Sequence, residues 1–272
     1  MKIKIIIASF VFCSLTSFCQ ETDDEFTQKG TMYFYWGWNR DFFSKSNIHF
    51  TGENYDFTLK KVIAKDRQSP FNFNTYFSPA NLTIPQYNFR IGYFINKHYD
   101  ISFGIDHMKY VVQENQYVEI NGHIESTETI YDGIYNRDQI LIQYPFLKFE
   151  HTDGLNYFNF DLRRNDQLFS YKKFSFNISE GIGLGGLLPK TNATLLNNER
   201  HDNFHLSGYG INFCSAITLK FFNKFFIQSE FKGGFIHMPS IRTTINKMDI
   251  AKQYFFFGQY NILFGAYFKL KK

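Results

Sequence analysis

The chain has 272 residues, of which 35 are Phe and 18 are Tyr, an aromatic fraction of 20%. Its mean hydropathy is nevertheless only −0.31 and its formal net charge +4. After residue 19 no segment approaches the ~20 consecutive apolar residues that a spanning helix needs. A charge balance this close to neutral argues against a nucleic-acid partner. So many rings in a chain of modest hydropathy imply strands with one apolar and one polar face.

Residues 1–19 carry Lys2 and Lys4, a short apolar run over 5–12, and small and polar residues up to Cys19. This is the layout of a secretory signal peptide, with cleavage expected after Cys19 and a single domain over 20–272. Its removal takes Cys13 and Cys19, leaving Cys214 alone and no internal disulfide possible. It also takes both lysines, lowering the net charge from +4 to about +2.

The first predicted strand is TMYFYWGWNR, with Met32, Phe34, Trp36 and Trp38 on one side. The second puts Tyr87, Phe89, Ile91, Tyr93 and Ile95 opposite Gln86, Asn88, Arg90 and Gly92. The third opposes Ile101, Phe103 and Ile105 to Ser102, Gly104 and Asp106. A three-residue turn at 96–98 keeps both faces in register, which a one-residue slip would invert. A fourth strand lies within 152–163, where alternation is poorer. The fifth opposes Phe174, Phe176, Ile178, Ile182 and Leu184 to Ser175, Asn177, Ser179, Gly181, Gly183 and Gly185. The sixth and seventh, around the turn at 222–224, direct Ile211, Phe213, Ile217, Phe225, Ile227 and Phe231 to one side. The eighth, FGQYNILFGAYFKL, ends the chain.

Connections after strands two, four and six are short: three, about eight and three residues. The others, at 41–84, 113–151, 188–204 and 243–253, are long. Short turns at one end and long loops at the other suit a bacterial outer-membrane barrel, with the long loops extracellular. The expected fold is therefore all-β: an eight-stranded antiparallel up-and-down transmembrane β-barrel with long extracellular loops, ten strands being possible. The chain resembles the small Gram-negative outer-membrane barrels of the OmpA/OmpX type. In the last strand, Gly265, Phe268 and Leu270 look like the positions read by the barrel-assembly machinery, although Lys271 and Lys272 replace the usual terminal aromatic. The resemblance implies insertion as a monomer among outer-membrane lipid and lipopolysaccharide.

The run GIGLGG at 181–186 matches G-x-G-x-x-G, but it follows an alternating strand and precedes Pro189 and an Asn/Thr cluster. It lacks the buried strand and the helix that dinucleotide binding requires. Gly181, Gly183 and Gly185 are read instead as interior positions of a narrow barrel. Glu180 breaks the alternation unless a bulge turns it inward. An eight-stranded lumen is just filled by its own side chains. Arg90 and Asp106 on adjacent strands, and Glu230 and Lys232 on another, are read as a charge-paired plug, with a narrow gated channel as the functional alternative.

His205 and Ser207 share the lipid-facing parity at the outer end of strand six. Small barrels that hydrolyse lipid A carry such a pair, so they are the candidate catalytic residues of a deacylase-like alternative. The clusters His201, Asp202, His205 and His151, Asp153 fix no metal geometry and read as solvated loop; no metal or cofactor is expected. His107, Lys109 and Tyr110 read as an interfacial girdle. Loop one holds a hairpin around Gly52 and Glu53. In loop two, Asn121 and Gly122 form a type I′ turn signal. Such ribbons would protrude and offer edges to an extracellular protein partner. Surface interaction or adhesion, or a structural role in the envelope, is therefore the leading expectation.

Overall fold

The computed structural model describes residues 29–269, apart from 82–83, 152 and 199–200. The expected signal peptide at 1–19 and the terminal Leu270, Lys271 and Lys272 lie outside the described residues. In chain order the strands are β1 (Thr31–Phe43), β2 (Ser46–Gly52), β3 (Tyr55–Val62), β4 (Ala64–Asp66), β5 (Tyr87–Phe94), β6 (Tyr99–Asp106), β7 (Tyr110–Val112) and β8 (Gln116–Ile124). They continue with β9 (Gly133–Ile142), β10 (Leu147–His151), β11 (Leu155–Tyr171), β12 (Phe174–Pro189), β13 (Asn192–Leu195), β14 (Gly208–Phe221), β15 (Phe225–Arg242) and β16 (Ile250–Lys269). A short helix, α1 (Phe73–Phe77), followed by a 3-10 turn at Pro79–Asn81, lies between β4 and β5.

Eight of these strands close a ring in the order β1, β5, β6, β11, β12, β14, β15, β16, with β16 pairing back onto β1 and all neighbours antiparallel. They are the eight expected strands. A path along paired residues runs Tyr33, Gly92, Ser102, Asp161, Gly183, Asn212, Gly234, Phe257 and Phe43. It returns to β1 ten residues beyond its start, so the strands are sheared and must tilt by roughly 35–45° to the barrel axis.

Alternation decides which face meets which medium. Phe160, Ile182, Leu184, Ile211 and Phe231 point outward and are 57–66% exposed, whereas Asn159, Asp161, Asn212, Glu230 and Lys232 point inward and are buried. A contiguous apolar surface of this extent on a closed barrel is not one that water tolerates. Glu180 stays on the outer face, paired with Arg164 and Ser215 in an unbroken register. No bulge turns it inward, and its partner on β14 is Ser215.

The turn between β11 and β12 is only Lys172 and Lys173, not about eight residues. Both strands run further than their alternation shows, and a register irregularity between Gln167 and Phe169 disguises the pattern.

The long connections form a folded cap rather than free ribbons. β2 pairs with β16 above the ring, and the sheet continues through β3 and β8 to β9. A second sheet, ordered β13, β10, β7, β4, accompanies it. Phe50 and Phe57 of the first sheet stack at 5.2 Å, and Phe149 of the second meets Phe50 edge-on at 5.8 Å. Their buried core, including Ile48, Leu59, Ile120, Phe146 and Leu147, continues into the barrel mouth through Tyr157, Ile236 and Phe257. Each such side chain contributes roughly 1.5–3 kcal/mol by leaving water, so cap and barrel cohere.

Glu53 and Asn54 do reverse the chain between β2 and β3, as the first loop suggests. Asn121 and Gly122 do not form a turn: they lie inside β8, and the reversal falls at 125–132. Gly122 has φ +127°, and a Cβ there would stand 2.1 Å from the Asp56 carbonyl oxygen on β3. The glycine serves close strand approach, which in sequence looks like a turn signal.

His151 and His201 are buried in this cap, not in a solvated loop. The His151 imidazole lies near the Tyr110 and Phe149 rings, with Nδ1 3.0 Å from Thr191 Oγ1. Burial pushes its pKa down to about 3. The unfolded chain, with its imidazole near 6.5, therefore takes up a proton that the folded cap refuses. Stability present above pH ~6.5 is lost as pH falls toward 3, by ~2–3 kcal/mol at pH 4.5. Urea midpoints of the cap at pH 7.5 and 4.5 should converge in His151→Phe; an unchanged gap would place the acid sensitivity elsewhere.

Candidate functional site

The barrel interior brings together four residues expected there and two that were not. Arg90 bonds Asp161 through Nη1 at 3.0 Å. Lys232 Nζ reaches Asp106 Oδ2 at 2.7 Å and Asp161 Oδ2 at 4.0 Å. Arg163 bonds Glu230 at 2.5 Å and Asp161 at 2.8 Å. Three cations thus face three anions, and each side chain is at most 3% exposed.

The pairing differs from the expected one. Arg90 stands opposite Gly104 and diagonal to Asp106, as their shared face on adjacent strands implies, but its ion-pair partner is Asp161 on β11. Glu230 and Lys232 likewise turn to different partners. Lys232 on β15 crosses the lumen to β6, and Glu230 crosses to β11. Closure of the ring makes these neighbours. A line of strands drawn flat would leave β15 and β6 far apart.

Neutral side chains complete the network. Asn88 and Asn159 donate to the two Asp106 oxygens at 2.7 and 2.9 Å. Gln228 and Asn261 donate to Glu230 at 3.0 and 3.2 Å. The Tyr35 hydroxyl accepts from Arg90 Nε at 2.9 Å and from Arg163 Nη2 at 3.2 Å. Arg90 also donates to Asn159 Oδ1. Six buried charges persist in so small a space because each has an opposite charge and further hydrogen bonds. Such a cluster places paired charge across the barrel interior.

The glycines of GIGLGG take their role from this cluster. A Cβ on Gly183 would lie 2.0 Å from Asp161 Oδ1, and one on Gly181 2.7 Å from Arg163 Cγ. They leave room for Asp161 and Arg163. Those two residues escaped the sequence reading because strand four alternates poorly at its ends. The parity of Asn159, Asp161 and Arg163 against Phe158, Phe160 and Leu162 was the signal available.

His205 and Ser207 lie in the segment leading into β14. Ser207 is 1% exposed, so it does not take the lipid-facing position its parity implies. Its hydroxyl donates to the His205 carbonyl at 3.1 Å, and His205 Nε2 lies 3.3 Å from Ser240 Oγ. Desolvation, followed by the charges of Arg242 and His201, lowers the His205 pKa. A nucleophile and base need a side-chain hydrogen bond and a carboxylate orienting the histidine. Here the serine proton goes to backbone, and the charged neighbours acting on the imidazole are basic.

The expected girdle is also rearranged. His107 is buried, stacked on Tyr87 at 4.9 Å with Nδ1 2.8 Å from Asn156 Oδ1. Tyr110 lies in the cap core against Phe255 at 4.9 Å. Among the described residues no group of three or more His, Cys, Asp or Glu is arranged to hold a metal ion.

No family model matches the chain, and no curated protein is detectably similar in sequence. Solved structures do align along most of its length. Ail of Yersinia pestis, the attachment invasion locus protein, in complex with the heparin analogue sucrose octasulfate, is 8% identical over 88% of this chain and 99% of its own, with a TM-score of 0.33. OprG from Pseudomonas aeruginosa is 7% identical over 89% and 97%, with a TM-score of 0.39. The N-terminal β-barrel domain of Pseudomonas aeruginosa OprF is 8% identical over 88% and 98%, with a TM-score of 0.30. The fold assignment stands on the closed register of eight strands, an architecture like that of the small OmpA/OmpX-type barrels.

Proposed function

We propose that this chain resides in the outer membrane with its lumen shut, and that its cap recognises a partner at the cell surface. The apolar outer face supports the location. The paired charges in the lumen speak against a conducting role, and the geometry around Ser207 gives lipid A hydrolysis no support.

The observation that carries the surface reading is the outermost strand of the cap. β9 is the free edge of the large sheet, because the opposite end of that sheet closes into the ring. Its tip is apolar and open, with Ile130 91% and Ile134 90% exposed. Arg137 at φ 61° and a register shift opposite Ile120 and Asn121 interrupt the edge further along. Interruptions of this kind suppress indiscriminate edge pairing, which confines strand addition to the outer stretch at 133–136.

A photocrosslinking residue in place of Ile134, on cells displaying the protein, should yield a discrete adduct with an extracellular protein. Ile130→Asp in the same chain should abolish that adduct. Absence of any adduct, with surface adherence unchanged by deletion of 126–139, would reject the reading.

A further inference from the structure

We propose that residues 69–81, which lie against the outside of the barrel wall, insert among the acyl chains of the outer leaflet; this rests on the outer-membrane location proposed above. The segment includes α1, whose Tyr76 and Phe77 meet the Trp38 ring at 5.6 and 5.3 Å. Trp38 belongs to the outward face of β1. It also touches Trp36 at 5.2 Å and Phe264 of β16 at 5.7 Å, both on the same apolar face. The segment therefore packs on the barrel belt itself, not in the cap core.

Among the described residues, none covers its other side. Phe71 is 73% exposed, Phe73 77% and Phe77 48%, with Phe73 and Phe77 stacked at 4.8 Å. Three such rings in water would form an apolar patch without a partner. The patch is continuous with the lipid-facing wall through Trp38, which identifies hydrocarbon as the occupant.

The polar groups point the same way. No charged residue occurs from 68 to 89, in a chain with 20% charged residues. Backbone within hydrocarbon must be satisfied internally, and much of this segment is. Tyr76 N donates to the Asn72 carbonyl at 3.1 Å, and Ser78 N to the Asn74 carbonyl at 3.3 Å. Asn72 Oδ1 accepts from Thr75 N at 2.8 Å, and Asn81 Nδ2 donates to the Asn74 carbonyl at 3.2 Å. The Tyr76 hydroxyl donates to the Ser69 carbonyl at 2.8 Å. The nearby Lys109 Nζ donates to the Ile84 carbonyl at 3.0 Å, as a lysine does when it reaches toward an interface.

Trp36 and Trp38 are the chain's two tryptophans, so a single-tryptophan reporter is simple to build. In a Trp36→Phe, Trp38→Phe background, Phe73→Trp would be reconstituted into phosphatidylcholine vesicles with bromine on the acyl chains. The expected result is a loss of emission as large as that of a Phe231→Trp control in the same background, with little loss to aqueous iodide. Quenching by iodide but not by brominated lipid overturns the proposal and assigns the segment to water or a protein. If the Phe231→Trp control also escapes bromine, the membrane location fails, and this inference with it. Should the triple variant not fold, a spin label at Phe73→Cys in a Cys214→Ser chain with both tryptophans retained decides: oxygen must relax it more than a water-soluble nickel complex does, and the reverse order overturns the proposal.

Discussion

Asp161→Leu is expected to lower the unfolding free energy by ~3–5 kcal/mol, the usual cost of leaving buried charge without its partner. Asp161 is the hub of the lumen: Arg90, Arg163 and Lys232 all lie within 4.0 Å of its Oδ2. Removing it leaves three buried cations facing two anions. The loss should show as a lower urea midpoint in lipid vesicles, followed by the emission of Trp36 and Trp38 on the outer wall.

A paired replacement separates the cost of an orphaned charge from the worth of an ion pair. Asp106→Leu combined with Lys232→Met removes one charge of each sign, and should cost less than Asp106→Leu alone. If single and double variants unfold at the same midpoint, the charges are not coupled and the plug does not operate as described. The same single variants test conductance, because a lumen held shut by charge pairing should leak ions in planar bilayers only once a pair is broken.

Gly185→Val is expected to prevent the barrel from closing. A Cβ at this position would lie 2.0 Å from the Phe158 carbonyl oxygen and 2.7 Å from Asn159 Cα, both backbone atoms of β11. That strand cannot retreat, since β6 holds its other edge from Tyr157 to Arg164. Ordinary overpacking of a core costs about 1–3 kcal/mol because side chains give way. Here nothing flexible is in the path, so the penalty should exceed that range. On an unheated denaturing gel the variant should run only as unfolded chain. Gly258→Val is the matched control: it faces outward, its nearest neighbour is Phe231 Cζ at 3.6 Å, and it should fold like the parent. If Gly185→Val folds normally, the close approach of β11 and β12 is wrong.

The eight strands of the ring were legible because their signal is local. A residue's parity against its neighbours two positions away states which face meets apolar surroundings, and that requires no knowledge of the rest of the chain. Phe89, Ile211 and Phe231 illustrate it, each exposed on the outer wall as its parity demands. Short turns could be counted in the same way, except where the irregular register near Gln167 hid the tight turn at Lys172 and Lys173.

What only the tertiary structure decided involves partners distant in sequence. Closure of the ring brought Lys232 to Asp106 and Glu230 to Arg163, while parity alone grouped Arg90 with Asp106 on adjacent strands and Glu230 with Lys232 on a single strand. The cap was hidden for a similar reason. Tyr55 on β3 pairs with Ile124 on β8, and Phe149 packs on Phe50, across intervals in which no short-range period records the contact. Alternation determines which side of a strand is apolar, but whether that side meets membrane, lumen or a second sheet depends on where closure and long-range pairing place it. For His107, Tyr110 and Ser207, closure and pairing placed the side chain in the protein interior.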